Sequence, residues 1–365
     1  MSEWKKVTLG ELIDSGECAI YDNLRKPLSK IERNKMKYGN LYPYYGAGNV
    51  IDFINRYCFD GYYLLIAEDG TVTSDGTKPT LQLVNGKFWV NNHAHVLQCK
   101  SEWKTKFLYY ALLNVDINPY ITGSVQPKLN QKNLLSISLL IPESESEQRA
   151  IASIFPPIED KIELLRQENE TLYNMINTLF KQWFIKEAKE DWERPKLGEV
   201  VTITYGKNLP TKNLLESGYP VFGSNGQIGF YNEYMYDEPQ VLISCRGAAS
   251  GKVNISLPKS FVTNNSFILV RDKRKDIPLE YLKYYCLNYD FTPYITGSAQ
   301  PQITIDNLYN AEFLIPPLDL INKFIEIVKV VEDKQINISE QIQTLSQLFD
   351  TLLHGLMSGK LRVDD

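Results

Sequence analysis

Two short stretches of this 365-residue chain have residue types and spacing that resemble a chemical site. His93 and His95 stand two residues apart, so on a strand their imidazoles share one face, as in a metal-binding pair. No third ligand is evident in the sequence, and packing or polar surface is the better interpretation. The stretch from Gly247 to Lys252 imitates a phosphate-binding loop, but it is one residue short and Val253 occupies the magnesium-binding position. A plain turn is expected there.

Catalytic motifs are not found elsewhere. Residues 155–158 (FPPI) and 315–318 (IPPL) faintly resemble the catalytic tetrapeptide of amino-methyltransferases, which begins with Asn, Asp or Ser and ends in an aromatic residue. Neither copy meets either condition. A glycine-rich cofactor loop and a nuclease carboxylate–lysine cluster are also missing. We therefore expect a chain that is not an enzyme by itself and that holds no cofactor or metal.

The remaining candidate chemistry is contact with nucleic acid, for which Arg, Lys, Asn and Gln suit phosphates and base edges. The net charge of −5 argues mildly against it, but cations concentrate within residues 24–37 and acids within residues 143–170. For each candidate the alternative is a solvated surface side chain. The candidates are Arg25, Lys26, Lys30, Arg33, Lys35, Lys37, Lys78, Lys207, Lys212, Asn225, Gln227 and Arg246.

The chain is an internal duplication. Residues 116–127 read DINPYITGSVQP and residues 290–301 read DFTPYITGSAQP, with nine of twelve positions identical. Further matches on both sides keep the same order: Tyr42-Pro43 recurs as Tyr219-Pro220, and Asn133-Leu134 recurs as Asn307-Leu308. The order globular unit, helix, globular unit, helix follows.

The repeated Gly-Ser-x-Gln-Pro loop is a further candidate contact with DNA, through Ser124, Gln126 and Lys128 in the first copy and Ser298 and Gln300 in the second. Both copies share this loop, so it cannot by itself distinguish two different DNA sequences. We favour a structural turn or a phosphate contact as the role of this loop. Base reading remains an open alternative.

Each globular unit is predicted to be α+β with a mostly β body. Residues 61–66 and 88–90 have strand composition, bounded by turns at Asp69-Gly70 and Asn85-Gly86. Residues 102–114, and their counterpart around 279–288, are predicted to form one short helix per unit.

Two long segments have apolar residues, with one polar member in each (Asn169 and Gln335), at alternating steps of four and three, which is the pattern of a coiled-coil seam. Pro156-Pro157 suits a helix start. Pairing the two seams as an antiparallel coiled coil is expected; the alternative is that each helix packs on its own unit. The seams consist of Ile158, Ile162, Leu165, Asn169, Leu172, Ile176, Leu179 and Trp183, and of Phe324, Val328, Val331, Gln335, Ile338, Ile342, Leu345, Phe349, Leu352 and Leu356.

The five cysteines are odd in number and scattered, and the first residues lack the form of a signal peptide. No apolar run approaches the length of a membrane span. We expect reduced thiols and a cytoplasmic protein.

The order of G-S-x-Q-P, Asn-Leu, Ile-Pro and a heptad helix, occurring twice, resembles the specificity subunit of type I restriction-modification systems. Residues 88–97 (FWVNNHAHVL) and 179–184 (LFKQWF) are also similar to that family. The resemblance implies target-recognition domains at 1–142 and 191–317 and spacer helices at 143–190 and 318–365. Each domain would read one half of a bipartite DNA site, and we expect two different half-sites.

The same resemblance implies partners. Two methyltransferase subunits would dock on the helices and restriction (motor-nuclease) subunits would join them, while S-adenosylmethionine, ATP and magnesium would belong to those partners. Residues that flank the seam are candidates for the subunit interface: Tyr173, Phe180, Lys181 and Phe184. The alternatives are a protein-interaction scaffold without DNA specificity, and a single-chain enzyme with an unrecognised site.

Overall fold

The computed structural model describes residues 3–123, 126–297 and 300–363, and the chain divides into two compact units. Unit 1 comprises Met1–Leu165 and Glu340–Asp365, and unit 2 comprises Arg166–Ser339. Each unit has its own hydrophobic core. The predicted α+β class is confirmed, with a mixed body and segments of two long helices in each unit.

Unit 1 is built around a six-stranded sheet of order β2-β7-β5-β6-β3-β4, beside a two-stranded β1-β8 ribbon. Its strands are β1 Trp4–Thr8, β2 Cys18–Ile20, β3 Tyr42–Tyr45, β4 Val50–Ile54, β5 Phe59–Ala67, β6 Leu81–Val90, β7 Ala94–Cys99 and β8 Ser138–Pro142. Its helices are α1 Leu9–Asp14, α2 Lys30–Asn34, α3 Glu102–Leu113, α4 Gln131–Leu135 and the first part of α5 Glu145–Lys181. The predicted helix at 102–114 is confirmed.

The predicted turn at Asn85-Gly86 is wrong, because β6 runs through it. Gly86 lies opposite Gly61 in the β5–β6 register, and both have positive φ, +87° and +136°. Glycine adopts such angles without steric cost, so both strands can change direction while they stay paired.

Unit 2 repeats this plan with shorter strands, in sheets of order β13-β12-β15-β9 and β11-β10-β14. The segment equivalent to β6 is divided in two, since Pro258 offers no N–H and Lys259 adopts a φ of +51°. The strands are β9 Thr202–Tyr205, β10 Tyr219–Gly223, β11 Gly226–Tyr231, β12 Val241–Ser244, β13 Val253–Ile255, β14 Phe261–Val262 and β15 Ser266–Val270. The helices are the last part of α5, α6 Leu197–Val200, α7 Leu279–Asn288, α8 Ile305–Tyr309 and the first part of α9 Leu318–Met357, whose last part belongs to unit 1.

Helix α5 begins at Glu145, eleven residues before the predicted start, with Pro156 and Pro157 inside it. The two missing N–H donors weaken the helix locally. Burial of Ile151 and Phe155 in the unit 1 core offsets this, because Phe155 packs against Phe349 of α9 at 5.2 Å between ring centroids. In unit 1 the two long helices therefore lie against each other and against the globular body.

In unit 2 the long helices run antiparallel. Phe180 contacts Phe324 at 5.6 Å between centroids, while the earlier residue Asn169 accepts a hydrogen bond at 3.3 Å on its backbone oxygen from the later residue Gln335. All predicted seam positions of both helices are buried or half-buried. Pairing of the helices and packing on the body thus occur together.

Cysteine chemistry differs from the prediction of five reduced thiols. Cys18 and Cys99, which face each other in the β2–β7 register, form a disulfide, and the free thiols are Cys58, Cys245 and Cys286. The sequence missed the pair because 81 residues separate its members. Among the described helices we find none that is long and apolar enough to cross a membrane.

Candidate nucleic-acid interface

Four loops of unit 2 converge at the ends of its central strands; we call them the unit 2 loop edge. They are the turn at 223–226, the loop at 245–252, the turn at 263–265, and residues 296–297 and 300–302 of the repeated loop. Backbone hydrogen bonds join them: the Cys245 amide donates to Asn265 O at 3.0 Å, and the Ile303 amide donates to Cys245 O at 3.0 Å. Ser224 Oγ also donates to Asn265 O at 3.3 Å. The edge is therefore one connected surface.

Unit 1 has the same arrangement, which we call the unit 1 loop edge. It is formed by the turn at 46–49, residues 68–70, the turn at 91–93, and residues 122–123 and 126–128 of the repeated loop. The Glu68 amide donates to His93 O at 2.8 Å, and the Leu129 amide donates to Glu68 O at 2.8 Å. These bonds reproduce those of Cys245 and Ile303. The two edges can therefore be compared residue by residue.

A lysine occupies the same place at both edges. The Lys26 amide donates to Val90 O at 3.3 Å at the end of β6, and the Lys207 amide donates to Val262 O at 2.9 Å at the end of β14. Both side chains are exposed. Lys26 follows Ile20 by six residues, whereas Lys207 follows the equivalent Ile203 by four. This two-residue difference conceals the match in the sequence.

Most of the predicted unit 2 residues lie on exposed surface. Arg246 follows β12, Asn225 and Gln227 lie on the β10–β11 hairpin, and Gln300 lies on the loop edge. Lys212 is exposed in a short helical turn at Thr211–Asn213. Ser298 lies outside the described residues, as Ser124 does in unit 1.

The predicted unit 1 residues are more scattered. Gln126 and Lys128 are exposed in the loop at 122–128, and the Lys128 ammonium lies 3.1 Å from the Glu68 carboxylate. Lys78 forms an ion pair at 3.2 Å with Asp350 of α9. Lys30 and Lys35 are exposed on and just after α2. Of the predicted unit 1 residues that the structure describes, Lys26, Gln126 and Lys128 are exposed at the loop edge.

Arg33 and Lys37 are held by one carboxylate on β4. Asp52 accepts from Arg33 Nε at 2.9 Å and lies 2.8 Å from Lys37 Nζ. The Arg33 guanidinium also donates to Leu28 O at 2.7 Å and lies over the Tyr44 ring. The hydrogen bond from Lys37, followed by that from Arg33, lowers the pKa of Asp52 to about 2 despite its burial. These contacts tie the α2 segment to the sheet.

Replacing Asp52 with asparagine is expected to lower the free energy of unfolding by about 1 kcal/mol at neutral pH, the upper range for solvent-screened pairs. A lowered folded-state pKa contributes stability above the unfolded value of 3.8, and this contribution is lost as the pH falls toward 2. The difference between wild type and Asp52→Asn should therefore vanish over that window in denaturant titrations. Asp60→Asn, an exposed position on β5, is the control; a difference that persists at low pH would contradict the ion-pair account.

Arg25, predicted to contact DNA, is instead held inside unit 1. Its guanidinium donates to the Glu68 carboxylate at 2.6 Å and to Ala94 O at 2.9 Å, and its Nε donates to Asp22 O at 3.0 Å. Only 13% of its side chain is exposed. Burial raises the pKa of Glu68, but hydrogen bonds from Arg25 and Lys128 outweigh it and leave that pKa below its usual value. Arg25 is thus a structural cation.

His95 completes this buried network. Its Nε2 lies 2.8 Å from Leu129 O, which can only accept, so Nε2 carries a hydrogen. Its Nδ1 lies 2.5 Å from Asp22 Oδ2, so a proton also lies between these two atoms. The sequence paired His95 with His93, whereas His93 Nδ1 lies 2.6 Å from Asp69 at the surface.

The sequence shows no third metal ligand beside His93 and His95, but the structure brings two carboxylates close to His95. Ligand atoms of Asp22, Glu68 and His95 lie within 4.8 Å of one another, as in a metal site. Arg25 and Lys128 already supply the neutralising charge, so the arrangement is that of an ion-pair network. In unit 2, Cys245 stands at the place of Glu68 and Phe267 at the place of His95. Both are buried and uncharged, so no ion pair is needed there.

The four predicted subunit-interface residues divide into two classes. Tyr173 is 46% exposed and Lys181 is exposed, whereas Phe180 and Phe184 are each 1% exposed. Both phenylalanines pack on Tyr281 of α7 and Phe324 of α9. The prediction of an interface role is wrong for Phe180 and Phe184, because the unit 2 core already covers them.

Exposed apolar side chains of the helices lie elsewhere in unit 2. Met175 and Ile327, 57% and 38% exposed, line an open groove of about 600 Å³ between α5 and α9. The sequence did not single them out, since they stand outside the seam.

This chain is similar to known proteins over most of its length. The family model described as the type I restriction modification DNA specificity domain matches residues 1–174 and 189–347. A putative type I restriction enzyme specificity subunit of Haemophilus influenzae is 25% identical over 348 residues, which cover 88% of this chain and 87% of that protein. The MjaIX specificity subunit of Methanocaldococcus jannaschii is 24% identical over 307 residues, or 72% and 70% of the two chains.

Among solved structures, the S subunit of a type I restriction-modification system from M. genitalium superposes with a TM-score of 0.60 at 16% identity, over 100% of this chain and 97% of that one. At this identity the similarity concerns the fold. It extends over both units and both long helices.

Proposed function

Because this chain belongs to the type I restriction-modification specificity-subunit family, we propose that it selects the DNA site at which its complex acts. Each loop edge binds one half of a bipartite site, and the two half-sites differ in sequence. The chain contributes recognition, while catalysis belongs to the subunits that it assembles.

The observation that carries this proposal is the pair of equivalent loop edges. Each presents an exposed lysine and exposed polar side chains on a framework fixed by the same backbone hydrogen bonds. A surface that occurs twice in one chain suits a ligand that offers two comparable sites along its length, as a DNA duplex does. Differences between the edges then provide two different sequence preferences.

Partner docking is proposed for the exposed faces of the helices. Tyr173, Met175 and Ile327 present apolar surface in unit 2, to which a methyltransferase subunit can bind. S-adenosylmethionine, ATP and magnesium are assigned to the methyltransferase and restriction subunits. A cytoplasmic location is proposed because its DNA substrate and these cofactors are found there.

Lys26 and Lys207 supply a test of phosphate binding. Each is expected to neutralise one phosphate, since a residue shared by two different half-sites cannot encode their difference. Replacing either with alanine should weaken binding to specific and scrambled duplexes by a similar factor, and should reduce the slope of log K against log salt by about one. Fluorescence anisotropy of the methyltransferase complex over a salt series measures both quantities.

The control for this test is Lys6→Ala, an exposed lysine on β1. Its salt slope should match that of the wild type. If the wild-type complex bound DNA with no salt dependence, or did not bind it, the recognition proposal would be overturned and the scaffold alternative supported. An unchanged slope in both Lys26→Ala and Lys207→Ala would reject these lysines as phosphate contacts.

A further inference from the structure

One position at the loop edge carries opposite chemistry in the two units. Asp69 and Arg246 are the second residues after β5 and β12, and each is followed by a glycine with nearly the same φ, +74° at Gly70 and +75° at Gly247. Each also forms an isolated bridge to the neighbouring loop, Asp69 to Lys128 and Arg246 to Gln302. The backbone therefore delivers these two side chains to equivalent places.

The side chains at this position differ in kind. A carboxylate only accepts hydrogen bonds, whereas a guanidinium only donates them. Asp69 is oriented by His93, whose Nδ1 lies 2.6 Å from Asp69 Oδ1, and the two side chains remain 31% and 49% exposed. Arg246 is exposed, and its guanidinium has no hydrogen bond or ion pair to the described residues. Both groups are available to a ligand.

The duplication separates two roles at the edge. Lys26 and Lys207 are identical in chemistry and suit the phosphates that every sequence presents. Asp69 and Arg246 occupy equivalent backbone positions, but one side chain accepts hydrogen bonds and the other donates them. Such a position can distinguish two half-sites. In the major groove, Arg donates to guanine O6 and N7, and an acidic side chain accepts from the cytosine N4 amino group.

We propose that Asp69 and Arg246 are specificity-determining residues, Asp69 for a cytosine in the half-site of unit 1 and Arg246 for a guanine in the half-site of unit 2. This inference rests on the proposed function and goes beyond it by naming the side chains and the bases. His93 positions the Asp69 carboxylate and makes no base contact in this account.

The test is selection of bound duplexes from a randomised DNA library by the methyltransferase complex, followed by sequencing. Arg246→Ala should relax one guanine position in one half-site by about 5- to 150-fold, the range for a bidentate base contact, and leave the other half-site unchanged. Asp69→Ala should relax one cytosine in the other half-site only. Lys252→Ala, an exposed cation of the same loop, is the matched control and should leave both sequence preferences intact.

Arg246→Lys keeps the charge and loses the fork-shaped donor pair, so it should weaken the preference for guanine while affinity for scrambled duplexes stays within a few-fold. This variant also guards against a folding defect in Arg246→Ala, and thermal unfolding checks all four proteins. Unchanged preferences in both Asp69→Ala and Arg246→Lys, or a uniform loss across all sequences, would overturn the inference. A wild-type complex that selects no sequence would instead overturn the proposed function.

Discussion

Phe324→Ala is expected to lower the free energy of unfolding of unit 2 by about 3–5 kcal/mol, the usual cost of truncating a buried aromatic side chain. Phe324 is fully buried and lies at the centre of a cluster in which Phe180, Phe184, Trp183 and Tyr284 have ring centroids 5.3–6.4 Å away. Its loss removes contacts with both α5 and α7. The remaining rings cannot fill the space without leaving their own partners.

The measurement is denaturant-induced unfolding followed by tryptophan fluorescence, to which Trp183 and Trp192 contribute from the unit 2 core and Trp4, Trp89 and Trp103 contribute from unit 1. Val330→Ala is the control, since Val330 lies on α9 and is 70% exposed; its effect should stay within about 0.5 kcal/mol. A loss below about 1 kcal/mol in Phe324→Ala would show that α9 does not depend on this cluster.

Phe324 also illustrates what the sequence predicts well. It opens the second seam, and the alternating steps of four and three suffice to predict that helix. Such periodicity is a local property: it requires only that residues three and four apart share a face. The repeat is equally accessible, because nine identical residues in twelve need no folding model.

What the sequence misses depends on distant residues or on single glycines and prolines. Phe180 and Phe184 flank the seam, which favours a subunit interface, yet Tyr281, about a hundred residues later, covers them. The bend at Gly86 resembles a turn in the sequence because its partner Gly61 lies on another strand. Helix α5 extends through Pro156 because burial of its first turns outweighs two lost hydrogen bonds.

The candidate site shows the same limit. Composition favours Arg25 and Lys26 equally, but their roles depend on partners far along the chain: Glu68 is 43 residues and Ala94 is 69 residues from Arg25. Composition does not favour Asp69, since acidic residues are poor candidates for contact with a polyanion. It becomes a candidate only when the backbone contacts of the loop edges align it with Arg246.

Arg25→Ala is therefore expected to destabilise unit 1 by about 3 kcal/mol while leaving the salt dependence of DNA binding unchanged. Breaking a buried ion pair from one side costs about 3–5 kcal/mol, and the lower end applies because 13% of each side chain of the Arg25–Glu68 pair stays exposed. Lys26→Ala, one residue later, is the matched control. It should lose little stability and should reduce the salt slope.

A double-mutant cycle isolates the pair, with unfolding of Arg25→Met, Glu68→Met and the double variant measured by denaturant titration. Each single variant leaves one charge of the pair without the other, so that Glu68 keeps its weaker partner Lys128 at 3.1 Å, or Arg25 keeps Asp22 at 3.3 Å. The double variant removes a cation and an anion together and leaves Asp22 and His95 in place. The double variant should therefore lose less stability than the sum of the single variants, by about 1–3 kcal/mol. Additive losses would contradict a stabilising Arg25–Glu68 ion pair. An Arg25→Ala protein with full stability and a reduced salt slope would show that Arg25 contacts DNA instead.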